Sequence, residues 1–297
     1  MADCSFLVLE DRGVLTVAGE DRRAFLQGLI SNDIERAGND RAIYASLLTA
    51  QGRFLHDFFI AELAETFWID AEGARLEDLR RRLSLYRLRA KVTLASVTDH
   101  VVVALFGDKA LARLALPEDP GRAQPWAGGV AFVDPRLMRL GARAIVPKSA
   151  VGQIPGLGFS PGAREDYDAQ RFILGVPDGS RDLPVEKALL LENGFDELNG
   201  VDWKKGCYVG QEVTARMKYR SLVRKRITPV RIDGEAPPPG TPILLDGEEA
   251  GEMRTATSGR GLALLRLEAI EKADREGRLM TAGNASITPL KPAWALS

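Results

Sequence analysis

The stretch Lys204-Lys205-Gly206-Cys207-Tyr208-Val209-Gly210-Gln211-Glu212-Val213-Thr214 sets one of the chain's two cysteines between a lysine pair and a Gly-Gln-Glu step. That step reads as a helix start. Cysteine chemistry runs through the thiolate, which nearby cations and a helix N-terminus favour. Cys207 is therefore the candidate reactive thiol, with Lys205 beside it to favour the anion and to hold an anionic ligand. Gly206 and Gly210 permit backbone geometry, or a close ligand approach, that other residues block. Gln211 and Glu212 fall in the first helical turn, where a carboxylate suits the helix dipole. Arg216, four residues on, has the spacing to pair with Glu212.

Working outward, 297 residues suffice for two domains, or a large one plus a small one. A hydrophobic fraction of 45% and a net charge of −1 are those of an ordinary globular protein. No global field points to nucleic acid or a membrane. The charge is unevenly spread, however. Residues 75–91 hold seven basic and two acidic side chains, and residues 203–226 hold eight and one, so the remainder carries −13. Such segregation suggests an anionic ligand or partner near the two basic segments. Cys4 and Cys207 make no disulfide framework. The Met1-Ala2-Asp3-Cys4 start has no secretory signal or organelle-transit composition, so the expected home is the cytoplasm.

The N-terminal part alternates strands and helices without a regular βαβ repeat, an α+β pattern. Strands are expected at 13–19, 43–48, 54–63, 67–70, 92–97, 101–106 and 138–146. Helices are expected from Glu20-Asp21 onward, at 75–88, after Gly107-Asp108, and at 164–174, where Gly175 and Pro177 supply the stop. Residues 116–129, with three prolines and three glycines, read as loop. After Arg226 the composition turns to short β segments at 227–232, 242–246, 251–257, 261–267 and 285–288, with Asp246-Gly247 as a hairpin signal. This predicts a small antiparallel barrel or sandwich. The expected division is 1–222 and 226–297.

Phosphate-binding glycine loops are absent. Ser-His-Asp chemistry has only His56 and His100 to draw on. The two histidines and two cysteines match no zinc spacing, so no metal site is expected. A resident iron–sulfur cluster usually takes four cysteine ligands, and two cysteines do not hold one alone.

Lys-Gly-Cys-Tyr-Val-Gly-Gln-Glu, continued by Val213-Thr214-Ala215-Arg216, resembles the signature of the YgfZ-type folate-binding proteins. These are relatives of the aminomethyltransferase (T-protein) of the glycine cleavage system. Leu15-Thr16-Val17-Ala18-Gly19-Glu20-Asp21 with Phe25-Leu26-Gln27-Gly28 and Ser31-Asn32-Asp33 is similar to the family's opening segment. Tyr86-Arg87-Leu88-Arg89-Ala90-Lys91-Val92 is similar to its middle. Tyr167, Arg171, Gly175-Val176-Pro177 and Leu183-Pro184-Val185-Glu186 fall where its second folate-side segment lies. The resemblance implies an aminomethyltransferase-like, ring-like fold with a central folate cavity and a C-terminal antiparallel β-barrel.

It also implies tetrahydrofolate as cofactor and iron–sulfur enzymes or assembly proteins as partners, with an indirect link to tRNA modification. The implied function is an accessory protein for iron–sulfur cluster assembly or repair. In that picture Tyr167 walls the pterin, Asn32 and Glu186 read its edge, and Gln211, Glu212 and Arg216 complete the folate-binding side. True aminomethyltransferases resemble Gly-x-x-x-Asp-Asp-Leu where this chain has Gly52-Arg53-Phe54-Leu55-His56-Asp57-Phe58. One carboxylate, Asp57, remains, so the alternative is a folate-dependent aminomethyltransferase or demethylase. A third reading, RNA contact, draws on the basic segments.

Overall fold

The computed structural model describes residues 3–292 and 294–295. The chain packs as two compact units: Met1–Ala50, Leu55–Arg164 and Asn199–Gln211 form the first, and Gln51–Phe54, Glu165–Leu198 and Glu212–Ser297 the second.

The first unit begins with β1 (Ser5–Val8), β2 (Arg12–Ala18) and the short helix α1 (Arg22–Gln27). β3 (Ile43–Leu48), β4 (Phe54–Leu63) and β5 (Thr66–Glu72) follow, then α2 (Leu76–Tyr86) and β6 (Thr93–Val97). These strands form one sheet in the order β3-β4-β5-β2-β6. β3 and most of β4 are buried without alternation, as expected of strands covered on both faces. On α2, Leu79 and Leu83 supply the buried stripe.

β7 (His100–Phe106), α3 (Ala110–Leu114), β8 (Ala123–Trp126), β9 (Gly129–Val133), β10 (Ala142–Pro147) and β11 (Ser160–Pro161) complete the unit. They build a second sheet, ordered β11-β1-β7-β10-β9-β8. Val103, Leu105, Val133, Val146 and Ile154 lie in its core.

The segment expected to be loop at 116–129 thus contains β8. Pro125 is tolerated there because β8 is the sheet's edge, where a missing N–H costs no internal ladder bond. The strand expected at 138–146 begins only at Ala142, because Met138–Leu140 form a 3₁₀ turn closed by Gly141 at φ +88°.

In the second unit α4 (Arg164–Leu174) runs over the expected residues and is followed by α5 (Gly179–Asp182). α6 (Gln211–Tyr219) begins at the expected Gly-Gln-Glu step. The rest is β12 (Lys225–Asp233), β13 (Pro242–Leu245), β14 (Glu248–Thr257), β15 (Arg260–Arg266), α7 (Leu267–Glu276), β16 (Met280–Ala282) and β17 (Ala285–Pro289). The strands close into an antiparallel barrel in the order β12-β15-β14-β13-β16-β17. Closure removes the unpaired edges of the sheet.

Asp246 and Gly247, both at positive φ, make the β13–β14 hairpin turn. α7 and β16 were not expected from the sequence. The buried residues of α7 are the small Ala269 and Ala273. Arg171 ties α4 to the barrel. It bonds Asp168 at 2.7 Å, Asp182 at 2.8 Å and the Thr255 hydroxyl at 2.7 Å, while Asp182 accepts the Thr255 N–H at 3.0 Å.

Candidate functional site

In the first unit, the end of α1 and the residues after it form a seat for the chain around Cys207. Lys205 is buried, and its ammonium donates to the carbonyls of Gln27 and Ile30, both at 2.6 Å. The Gln27 amide donates back to the Lys205 carbonyl at 3.2 Å. Two residues past the cysteine, the Val209 N–H donates to the Gly28 carbonyl at 3.1 Å. Upstream, Ser31 Oγ donates to the Gly200 carbonyl at 2.6 Å, and the Asp202 N–H to the Ser31 carbonyl at 3.1 Å. Gly206, between these anchors, takes φ +90° and Gly210, just past Val209, +80°, conformations in which glycine carries no Cβ penalty. Cys207 is exposed at the top of the loop, whereas Cys4 is buried in the second sheet's core. The Gln211 side chain accepts the Tyr208 N–H at 3.2 Å and closes the loop into α6.

Lys205 therefore has its protons committed to two carbonyls, with the Tyr208 ring 4.9 Å from its nitrogen. Burial pushes its amine down to about 8. The lysine's visible work is holding the loop that presents the thiol.

Beside this seat lies a cavity of about 540 Å³ lined by Asn32, Arg36, Arg41, Tyr44, Pro135 and Asn199, among others. Asn32 is buried; its amide donates to the carbonyls of Tyr44 and Asn199, both at 2.8 Å, and its oxygen accepts the Asp33 N–H. It joins three segments before it reads any ligand edge. Arg36 pairs with Asp202 at 3.1 Å and Arg41 with Asp119 at 2.7 Å.

Tyr44 donates its hydroxyl to Asp57 at 2.9 Å. Burial, reinforced by the Asp57 charge, raises its phenol well above the usual range. Arg136 stacks its guanidinium over the Tyr44 and Phe59 rings, 5.5 and 4.8 Å from their centroids, and is bonded to Asp134 at 2.8 Å. Fully buried Asp70 receives Arg12 at 2.6 Å and Arg143 at 2.7 Å, and Arg143 also lies over Phe59. His56 points elsewhere. Its Nε2 meets Asp78 of α2 at 3.0 Å, and burial brings its pKa down to about 4.

Of the site residues read from the sequence, Asn32, Lys205, Cys207 and Gln211 belong to the first unit. Tyr167, Glu186, Glu212 and Arg216 belong to the second. Tyr167 is buried on α4; Glu186 is exposed, at φ +61°, with its N–H on the Phe54 carbonyl at 2.8 Å. Glu212 and Arg216 are both exposed, and their four-residue spacing yields no ion pair among the described residues. Sequence reading missed Tyr44, Arg136 and Asn199. Tyr44 carried a usable signal: an aromatic residue on the strand just before the one that bears Asp57.

Two family models match: the GCVT N-terminal domain over residues 9–119, and the CAF17 C-terminal beta-barrel domain over residues 224–297. The human iron–sulfur cluster assembly factor IBA57, mitochondrial, is 35% identical over 285 residues, which cover 89% of this chain and 78% of that protein. The chain belongs to the IBA57 family. The mouse IBA57 protein is 31% identical over 96% of this chain and 84% of its own. The Pyricularia oryzae homologue is 33% identical over 89% and 72%.

These relatives refine the YgfZ-type resemblance to the IBA57 type. They overturn the cytoplasmic expectation, since each is named as a mitochondrial protein, and none of their names carries a link to tRNA modification. The crystal structure of the glycine cleavage system aminomethyltransferase T from Bartonella henselae superposes with a TM-score of 0.79 at 14% identity. It covers 99% of this chain and 87% of that one. The aminomethyltransferase-like fold with a closed C-terminal barrel is thereby established.

Among the described residues no helix is long and apolar enough to cross a membrane. Nor do three or more His, Cys, Asp or Glu side chains gather to hold a metal ion among them.

Proposed function

We propose that this chain is an iron–sulfur cluster assembly factor in which the Cys207 thiolate is the group that ligates iron. The observation that carries the proposal is an exposed thiol on a loop nailed down on both sides, by Lys205 and by Val209. A thiolate is the iron-binding form of cysteine, and a loop fixed before its partner arrives loses little entropy on contact. One cysteine does not complete a cluster. The remaining ligands come from a second protein, and the contact is transient. The names of the IBA57 relatives support this role.

Tetrahydrofolate is the proposed cofactor, supported by the match to the GCVT N-terminal domain. The cavity of the first unit fits such a ligand. Its volume lies within the range of small-molecule sites. Pro135 offers a wall for a flat ring, and Arg36 and Arg41, each paired with one carboxylate, offer their remaining guanidinium donors to a glutamate tail. When bound, tetrahydrofolate supplies one-carbon carrier chemistry. The chain's part is to bind and orient it.

A competing reading, a folate-dependent aminomethyltransferase or demethylase, draws on Asp57, a carboxylate held by Tyr44, which itself lines the cavity. It requires turnover of a methylamine donor that Asp57→Asn abolishes.

Two measurements test the proposal. Cys207→Ala is expected to fail in restoring iron–sulfur enzyme activity to cells lacking the factor, and full restoration would contradict the thiol's role. Titration with tetrahydrofolate, followed through the four tryptophans, is expected to saturate in the wild type and to weaken in Arg41→Ala. An unsaturable wild-type signal would remove the cofactor.

A further inference from the structure

The end of α2 displays apolar side chains to solvent. Leu85 is 67% exposed, Tyr86 46% and Leu88 89%. Leu88 also sits at φ +42°, a left-handed conformation that is strained for a non-glycine residue. Strain of this kind persists where the surroundings over-determine it, and they do so here. Leu83 and Val92, buried on either side, anchor the segment. The Lys91 N–H donates to Asp21 at 2.7 Å, and its ammonium to Glu20 at 2.8 Å. Gly19 packs so closely that a Cβ there would meet the Lys91 carbonyl oxygen at 2.1 Å. The display is thus fixed in place.

Its charge is one-sided. Residues 85–91 contain Arg87, Arg89 and Lys91 and no acid. Lys91 has Glu20, but the exposed Arg87 and Arg89 form no ion pair among the described residues. The chain then enters β6, the edge of its sheet. Thr93, Ala95 and Ser96 of that strand are exposed, and it holds none of the lysines or prolines that usually blunt such an edge.

We infer that residues 85–97 are a docking site for an extended acidic segment of a partner protein, which adds to β6 and pairs its carboxylates with Arg87 and Arg89. Strand addition supplies affinity through main-chain hydrogen bonds and specificity through side chains at the strand's end. A protein fits better than a membrane, because the apolar stripe of α2 itself, Leu79 and Leu83, is already buried. The inference is independent of the role given to Cys207.

The test is fluorescence anisotropy of a labelled peptide, acetyl-Glu-Val-Glu-Leu-Glu-Val-Glu-amide, titrated with the full chain at low salt. Saturable binding is expected, weakened about tenfold or more by R87E/R89E and by Leu88→Asp. Ser96→Pro, which removes an N–H that faces away from β2 because the neighbouring Ala95 carbonyl faces that strand, is expected to abolish binding while circular dichroism stays native. No binding to the wild type, or equal binding to R87E/R89E and Leu88→Asp, overturns the inference. So does preferential binding of phosphatidylglycerol vesicles or of a twelve-residue oligouridine at the same surface.

Discussion

The first unit contains two regions with opposite physical characters. Around Tyr44, Asp57, Asp70 and Arg136, charged and polar groups are buried and held by partners at 2.6–2.9 Å. Around Cys207, the thiol and Gly206 are exposed, left-handed glycines frame them, and Lys205, Tyr208 and Val209 hold the chain on either side. In the buried region each group is a condition for the others, so removing one exposes the rest to an unpaid desolvation cost. In the loop the central side chain supports nothing. A chain built this way keeps its shape in one place and offers a reagent in another.

The sharpest way to break this contrast is Asp70→Asn. It leaves Arg12 and Arg143 buried against a neutral amide, and a loss of about 3–5 kcal/mol is expected in chemical denaturation. A loss under about 1 kcal/mol would show that water reaches the network.

The next effect is acid sensitivity from His56. Burial brings its pKa down to about 4 from the ordinary 6.5. Between those values the unfolded chain binds the proton and the folded chain does not. Stability is therefore complete above about pH 6.5 and falls as pH drops towards 4, by on the order of 3 kcal/mol. His56→Gln should flatten that part of the pH profile.

In the loop, Gly206→Ala meets no atom within 4 Å, so only the φ of +90° resists it. A cost of about 1–2 kcal/mol is expected from thermal unfolding.

The buried region was also the harder one to see in the sequence. Helix α4 was legible because its apolar spacing ends at Gly175, and the barrel because turn residues separate short β segments. The loop was legible as a motif, and α1 and the Ser31-Asn32-Asp33 step were legible as a separate one. That the second is the seat of the first came only with the fold, since 178 residues separate Gln27 from Lys205. The Asp70 network joins partners 58 and 73 residues away. Periodicity shows which face is buried, but not which charge meets which. β8 stayed hidden because proline and glycine signal a loop unless the strand is known to be an edge.

The central claim is that Cys207 serves function and not folding. It is tested most directly by measuring both in one variant, Cys207→Ala. The unfolding free energy is expected to stay within about 0.5 kcal/mol of the wild type, while the ability to restore iron–sulfur enzyme activity is lost. Retained activity, or activity lost only because the variant unfolds, would contradict the account.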